Sequence, residues 1–339
     1  MTFNSAHIIS ITGYSTLFII SSLANLTVLK ILVRRYKKIK SRVNLLLIHL
    51  AIADLLVTFF MMPLEIGWAA TVMWTAGDLL CRILSFFRIF GLFLSSNILI
   101  CISLDRFYAI VCPLAAGKAI RNMRASLLMA WIGAIVSASP QMYIFHVESH
   151  PKYPWYTQCV TFNSFPSQAY ETAYTIFGMI MMYLFPLIVI IVTYTIILTT
   201  IFKKSNASRN ESRNNTGLRR SGVGVLNRAR TRTLKMTVVI VCVFILCWTP
   251  YYIISVWFLA DKESFMEVDQ RIQNSLFMFA CTNSCMDPIV YGFFNLRNRQ
   301  QQPSIHHHHR HNHHAVVELR SITTRQIDED VNGTNPMQI

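Results

Sequence analysis

Charge is what this chain has least of. Asp, Glu, Lys and Arg make up only 14% of its 339 residues, with 16 acids against 31 basic residues. A soluble domain carries about a quarter charged residues, so this chain lacks the surface needed to dissolve. Other absences narrow the function. Between 271 and 294 there is no lysine, which excludes a retinal Schiff base in the last apolar run. His49 is the one histidine inside an apolar run, near its cytoplasmic end, so an intramembrane serine protease has no His at depth to pair with a Ser. Several metal ligands at one level, as a metal hydrolase needs, are not found. An ion-coupled transporter suits buried charges, but it predicts internal repeats or paired broken helices, and neither is seen. Alternating ten-residue segments are missing too, which excludes a membrane barrel.

What the chain has instead is length in apolar runs. Hydrophobic residues make up 53% of it, in seven runs at about 8–33, 44–70, 81–112, 124–145, 170–202, 233–260 and 271–294. Runs of roughly 20 apolar residues span a bilayer as helices. The expected fold is all-α: a seven-transmembrane helix bundle over 8–294, with 1–7 outside and a cytoplasmic tail over 295–339.

The formal charge of +15 could suggest nucleic acid, but its placement argues for topology. Arg34, Arg35, Lys37, Lys38, Lys40 and Arg42 fill the first loop, and Lys118, Arg121 and Arg124 lie in the third. The fifth runs from Lys203 and Lys204 to Arg228, Arg230 and Arg232, while the alternate loops offer mainly Lys152 and Lys262. Positive loops stay cytoplasmic, which puts the N-terminus outside and the C-terminus inside a multi-pass membrane protein, with lipid as its surroundings and no nucleic-acid partner. About seven residues precede the first run, and no cleavable signal is evident, so the first helix is expected to act as its own insertion signal. The sequon at Asn25 is inside a span, and those at Asn206, Asn210, Asn214 and Asn332 fall in cytoplasmic segments. No N-glycan is therefore expected.

Residues 203–232 are polar and basic and read as a mobile inner loop. Phe293, Phe294, Leu296, Arg297 and Arg299 suit a short amphipathic eighth helix on the inner leaflet. No cysteine follows Cys285, so the tail offers no palmitoylation site, and the His-rich 306–314 reads as spacer. Of eight cysteines, only Cys81 and Cys159 fall in oxidising space, and they are expected to pair.

The stretch 81–112 threads polar groups along one side of a helix: Arg88, Ser95 and Arg106 fall near one stripe. Asp54 and Glu65 are eleven residues apart, about three turns, so on a straight helix they share a face. Arg88 lies about 10 Å inside Cys81, at a depth like that of Glu65. An ion pair that only serves structure and a pair that meets a ligand are equally open readings of these two residues.

Asn25, LAIAD ending at Asp54, DRF at 105–107, Trp131, CWTP at 247–250 and DPIVY at 287–291, in order along the runs, resemble rhodopsin-type G-protein-coupled receptors. CWTPYY at 247–252 and DPIVYGFFNLR, with Asp287 where most relatives have Asn, are similar to receptors for gonadotropin-releasing hormone and their invertebrate kin. FHVESHP, WYTQCVTF and FGMIMMYLFPLIVII look most like insect adipokinetic hormone receptors, with corazonin-type and intermediate-peptide receptors as near neighbours.

The resemblance implies a plasma-membrane receptor, not an enzyme, for a short peptide hormone blocked at both ends. Its inner partners would be a heterotrimeric G protein and arrestin, with signalling through calcium or cyclic AMP. Glu65 and Arg88 would contact the peptide, with Trp68, Tyr251, Tyr252 and Phe258 as aromatic walls. Asp105, Arg106, Trp248, Pro250, Pro288 and Tyr291 would form the switch and coupling set. Deeper down, Asp54 and Asp287 lie near Asn25, Ser95 and Asn283. Two buried acids either share a proton or hold a cation, and sodium is the one cofactor this implies. The inner end of the sixth helix has Arg228, Arg230, Arg232 and Lys235 but no acid. Asp105, alone or with Thr231 or Thr233, is then expected to restrain Arg106.

Overall fold

The computed structural model of the chain describes residues 3–112, 116–214, 221–261, 264 and 270–299, without the side chains of 116–122, 207–230, 232, 270 and 295–299. The His-rich tract, the Asn332 sequon and the charged face at Arg297 and Arg299 lie outside these. Helices dominate: α1 (Ser5–Lys38), α2 (Arg42–Leu56), α3 (Met62–Thr71), α4 (Gly77–Val111), α5 (Ala116–Ala138), α6 (Gln141–Ile144), α7 (Gln168–Met179), α8 (Phe185–Asn214), α9 (Ser221–Ala260), α10 (Gln270–Cys281) and α11 (Asn283–Arg299). Between α6 and α7 stand two strands, β1 (His146–His150) and β2 (Tyr153–Val160).

The helix ends follow local chemistry. The Asn4 carboxamide oxygen accepts from the backbone N–H of Ala6 at 3.0 Å and of His7 at 3.3 Å, capping α1. Arg35, Lys37 and Lys38 sit in its last turn, where cations suit the helix dipole. Helices α2 and α3 are one span joined through a wide π turn at Val57–Met61, and α7 and α8 are joined the same way through Ile180–Leu184. At the first wide turn Met62 N–H bonds Val57 O, five residues back. Gly91 of α4 packs into this turn: a Cβ there would lie 2.9 Å from Val57 N and 3.1 Å from Ala53 O. Both are backbone atoms, which cannot rotate away. Gly91→Ala is expected to lower stability by about 1–3 kcal/mol, the range for overpacking, read as a drop in the melting temperature of the purified protein.

Among the described residues, six helices are long and apolar enough to cross a bilayer. The seventh expected span is present but broken into α10 and α11 at Thr282, so neither part reaches that length. Six residues past the break, inside α11, Pro288 has no N–H to donate to Ser284 O, four residues back. That carbonyl is taken instead by Asn25 Nδ2 of α1 at 2.8 Å. A polar residue in the first span thus repairs the backbone of the last one.

Two other stretches hold structure that the sequence reading did not expect. The inner segment 203–232 is helical as far as Asn214 and again from Ser221, because a helix already nucleated in the membrane extends cheaply past its apolar part. The segment between the fourth and fifth apolar runs, to which apolar length assigns no element, contains the β1–β2 antiparallel hairpin, with Val147 opposite Cys159.

Helix α4 is the centre of the bundle, packed against α2, α5 and α8. Its Leu94, Ile98 and Leu99 are fully buried, as are Ile190 and Ile197 of α8 and Phe244 of α9. Beyond Gly292 a separate unit begins, in which α11 continues to Arg299 and Phe293 meets Phe294 edge to face.

Cys81 and Cys159 are disulfide-bonded, with Cα atoms 5.7 Å apart. The bridge is buried with Leu64 and Trp74, against Trp68, Leu84, Phe145 and Val147. Further hydrogen bonds hold the hairpin, among them Val147 N–H to Asp78 Oδ1 (3.0 Å), Thr157 Oγ1–H to Trp74 O (2.6 Å) and Gln158 Nε2–H to Val72 O (2.7 Å). Losing a native bridge typically costs about 2–5 kcal/mol. Cys81→Ser is expected to lower surface expression, and mass mapping of the expressed protein should find no free thiol at either position.

Candidate functional site

At the end of the bundle that carries the hairpin, α3 and α4 bring Glu65 and Arg88 together. Arg88 Nε donates to Glu65 Oε1 at 2.6 Å, with the two side chains 26% and 16% exposed. A partly desolvated pair of this kind remains open on one side. The Arg88 guanidinium carbon also lies 5.4 Å from the ring centre of Phe277 on α10 and 6.0 Å from that of Trp68, within cation–π range. Buried Tyr14 of α1 is within electrostatic reach of the same pair.

Below the pair lies a belt of rings from three spans. Tyr251 tilts against Phe277 at 5.3 Å, and Tyr252 stacks on Tyr183 at 4.4 Å. Trp248 sits beneath them, 6.3 Å from Tyr251 and 6.0 Å from Tyr252. Tyr183 OH and Thr249 Oγ1 share a hydrogen bond of 2.5 Å. Both Trp248 and Tyr252 are buried, while Tyr251 is only partly so. Phe258, half-buried, lies about 10 Å further out along α9.

Trp68 is less free than its position suggests. Its indole N–H donates to Gln158 Oε1 at 2.7 Å, and its ring meets Trp74 edge to face at 5.7 Å. The residue therefore fastens the hairpin to α3 as well as facing Arg88.

Deeper in the bundle, Asp54, Asp287, Asn25, Asn283 and Ser95 are all buried. Asp54 lies among Ser95, Ser284 and Asp287. Both oxygens of each acid, with Asn25 Oδ1, Asn283 Oδ1 and Ser95 Oγ, make no hydrogen bond of ordinary geometry. A cluster of buried oxygens of this composition fits a hard cation, which takes oxygen ligands only.

At the end opposite the hairpin, Arg106 bonds Asp105, and both are buried. Two residues of the first inner segment also reach in. Arg42 Nη1 lies 3.5 Å from Asp105 Oδ1, and Arg35 Nη1 donates to Tyr291 OH at 3.1 Å. The sequence reading had given these cations to topology alone, and it had left Asp105 to Arg106. Trp131 Nε1–H donates to His49 Nδ1 at 3.2 Å, which gives His49 a structural role between α2 and α5.

Of the residues expected to line a pocket, Glu65, Trp68, Arg88, Tyr251 and Tyr252 form one connected outer set. Tyr14, Phe277, Gln158 and Tyr183 belong to it or brace it and were missed. No sequence signal separates Phe277 from the neighbouring Phe279 of the same apolar run.

The chain matches the 7 transmembrane receptor (rhodopsin family) over residues 24–291. It is 38% identical over 294 residues to a gonadotropin-releasing hormone II receptor of Clarias gariepinus, covering 86% of this chain and 77% of that one. It is also 36% identical over 303 residues to a gonadotropin-releasing hormone receptor of Rattus norvegicus, covering 85% and 89%, and 36% over 265 residues to that of Sus scrofa, covering 76% and 78%. With the helix bundle, the outer disulfide and this agreement over most of its length, the chain belongs to the rhodopsin family of seven-transmembrane receptors and is a multi-pass membrane receptor, not an enzyme.

Proposed function

We propose that the chain is a plasma-membrane receptor for a short peptide hormone blocked at both ends, of the adipokinetic hormone type. The observation that carries this is the Glu65–Arg88 pair, partly exposed above a belt of rings. A peptide without terminal charges can enter such a site without burying an unpaired ion; its carbonyl oxygens can accept from Arg88 and its amide N–H groups can donate to Glu65. Similarity to receptors named for a peptide hormone supports the ligand class. The resemblance of the hairpin segment to insect adipokinetic hormone receptors supports the subtype.

The N-terminus then lies outside and the basic ends inside, by the positive-inside rule. Peptide on the outer ring would press on Tyr251, Tyr252 and Trp248, just either side of Pro250, where α9 lacks one backbone hydrogen bond and can bend. The inner end of α9 would swing out, letting Arg106 leave Asp105 and meet a heterotrimeric G protein, with arrestin as a later partner. Pro288 and Tyr291 would give α11 a matching point of adjustment. A sodium ion held by Asp54, Asp287, Ser95 and Asn283 would neutralise the paired acids in the resting arrangement.

The test is a cell reporter assay of calcium and cyclic AMP against adipokinetic, corazonin and intermediate peptides, with surface expression verified. A strongest response to the adipokinetic peptide supports the reading, and one to a corazonin peptide moves the receptor to the neighbouring group. No response from receptor at the surface removes the subtype altogether.

A further inference from the structure

Asp105 is enclosed by more positive charge than a single restraint on Arg106 requires. Its side chain is 3% exposed, and one carboxylate oxygen pairs with Arg106 while the other lies 3.5 Å from Arg42 Nη1. That nitrogen is itself buried and makes no hydrogen bond of ordinary geometry, so attraction to the carboxylate is what accounts for its position. Arg42 is also the first residue of α2, and no acid stands in that turn. A cation at a helix N-terminus opposes the helix dipole, so the placement does not serve α2. It serves Asp105.

A buried carboxylate that loses its only partner is strongly destabilised, whereas one with a second cation in place is not. We propose that Arg42 is a positioning residue of the switch: it keeps Asp105 compensated when Arg106 moves away, and so lowers the cost of the signalling arrangement. The inference rests on Arg106 being the group that meets the G protein. Arg42 therefore acts through Asp105, and its removal strands the carboxylate and ties Arg106 more firmly to it. An arginine that merely set topology, or touched the G protein directly, would act independently of Asp105.

The test compares the parent receptor, Arg42→Gln, Asp105→Asn and the double variant in membranes at matched surface expression. G-protein nucleotide exchange is measured without peptide, with receptor raised until the parent rate is measurable. Arg42→Gln is expected to lower the parent's ligand-free rate about five- to tenfold, yet to leave the Asp105→Asn rate within about twofold, the coupling expected of two residues in contact. Arg42→Lys keeps the charge and should retain most of the parent rate. A parent-like rate in Arg42→Gln overturns the proposal, as does an equal loss in both backgrounds. Because no peptide is added, a wrong ligand class leaves the comparison intact. Failure of the switch reading itself would show separately, as an Arg106→Ala receptor exchanging nucleotide as fast as the parent, and would overturn the proposal with it.

Discussion

A receptor carrying Arg106→Ala is expected to bind peptide normally and to produce no second messenger. The guanidinium is buried against Asp105 on α4, far from the outer ring where Glu65 and Arg88 stand, so its removal leaves the ligand side untouched. No other side chain at that depth of α4 offers a planar fork of donors to an inner partner. Its companion, Asp105→Asn, is expected to raise ligand-free signalling, because it removes the carboxylate that holds Arg106 back. A tenfold shift in resting population needs about 1.4 kcal/mol, well within what one buried ion pair contributes. Both variants are read as basal and peptide-stimulated second messenger at matched surface expression, beside binding of labelled peptide. An Asp105→Asn receptor as silent as the parent would mean that another contact holds the resting state.

The second large effect concerns the outer pair. Glu65→Gln or Arg88→Gln should each weaken peptide potency by about 2–5 kcal/mol, the range for truncating one partner of a buried, hydrogen-bonded charge pair. That is roughly thirtyfold to several thousandfold. The exchange of both, Glu65→Arg with Arg88→Glu, separates two roles of the pair. If the 2.6 Å contact only braces α3 against α4, the swapped receptor should regain both abundance and potency. If the pair meets the peptide, abundance should return and potency should not. The second result is expected, since each side chain keeps a solvent-facing part that a purely structural pair has no use for. Full potency in the exchange variant would reduce the pair to a brace.

Much of this was legible in the residues because membrane physics leaves few choices. Apolar length gave the number of spans, loop charge gave an expected orientation, and Cys81 and Cys159 had no other oxidised partner available. The outer pair was found from depth along neighbouring helices. What was not legible involves contacts between distant segments that carry no periodic signal. Gln158, in a hairpin to which apolar length assigns no element, meets Trp68 ninety positions away. Arg42 looked like one cation among several in a basic loop, and nothing in its neighbours distinguishes it from Lys40. Its buried reach toward Asp105 follows from where α2 starts relative to the inner end of α4. The tie between Ser284 and the first span was hidden for a different reason: Pro288 announces a free carbonyl, but only the fold shows that Asn25 on another helix takes it.

The wide turn at Val57–Met61 bears on how this receptor tolerates insertions and deletions. A π turn holds one residue more than the α turn it replaces, so everything from Met62 to Thr71 is rotated relative to the helix that a straight count would build. Asp54 and Glu65 therefore do not share a face for the reason that eleven residues suggests, although Glu65 still reaches Arg88. Deleting one residue within 57–61 would let the span close up as a regular helix. Glu65 would then turn by about 100° and shift about 1.5 Å along the axis, taking its carboxylate away from Arg88. Trp68 would turn with it and release Gln158. Deleting Phe59 or Phe60, with no charged or polar side chain removed, would thus do more damage than replacing Glu65 itself. Aligning this span with a receptor that has no such turn needs a gap at the same place.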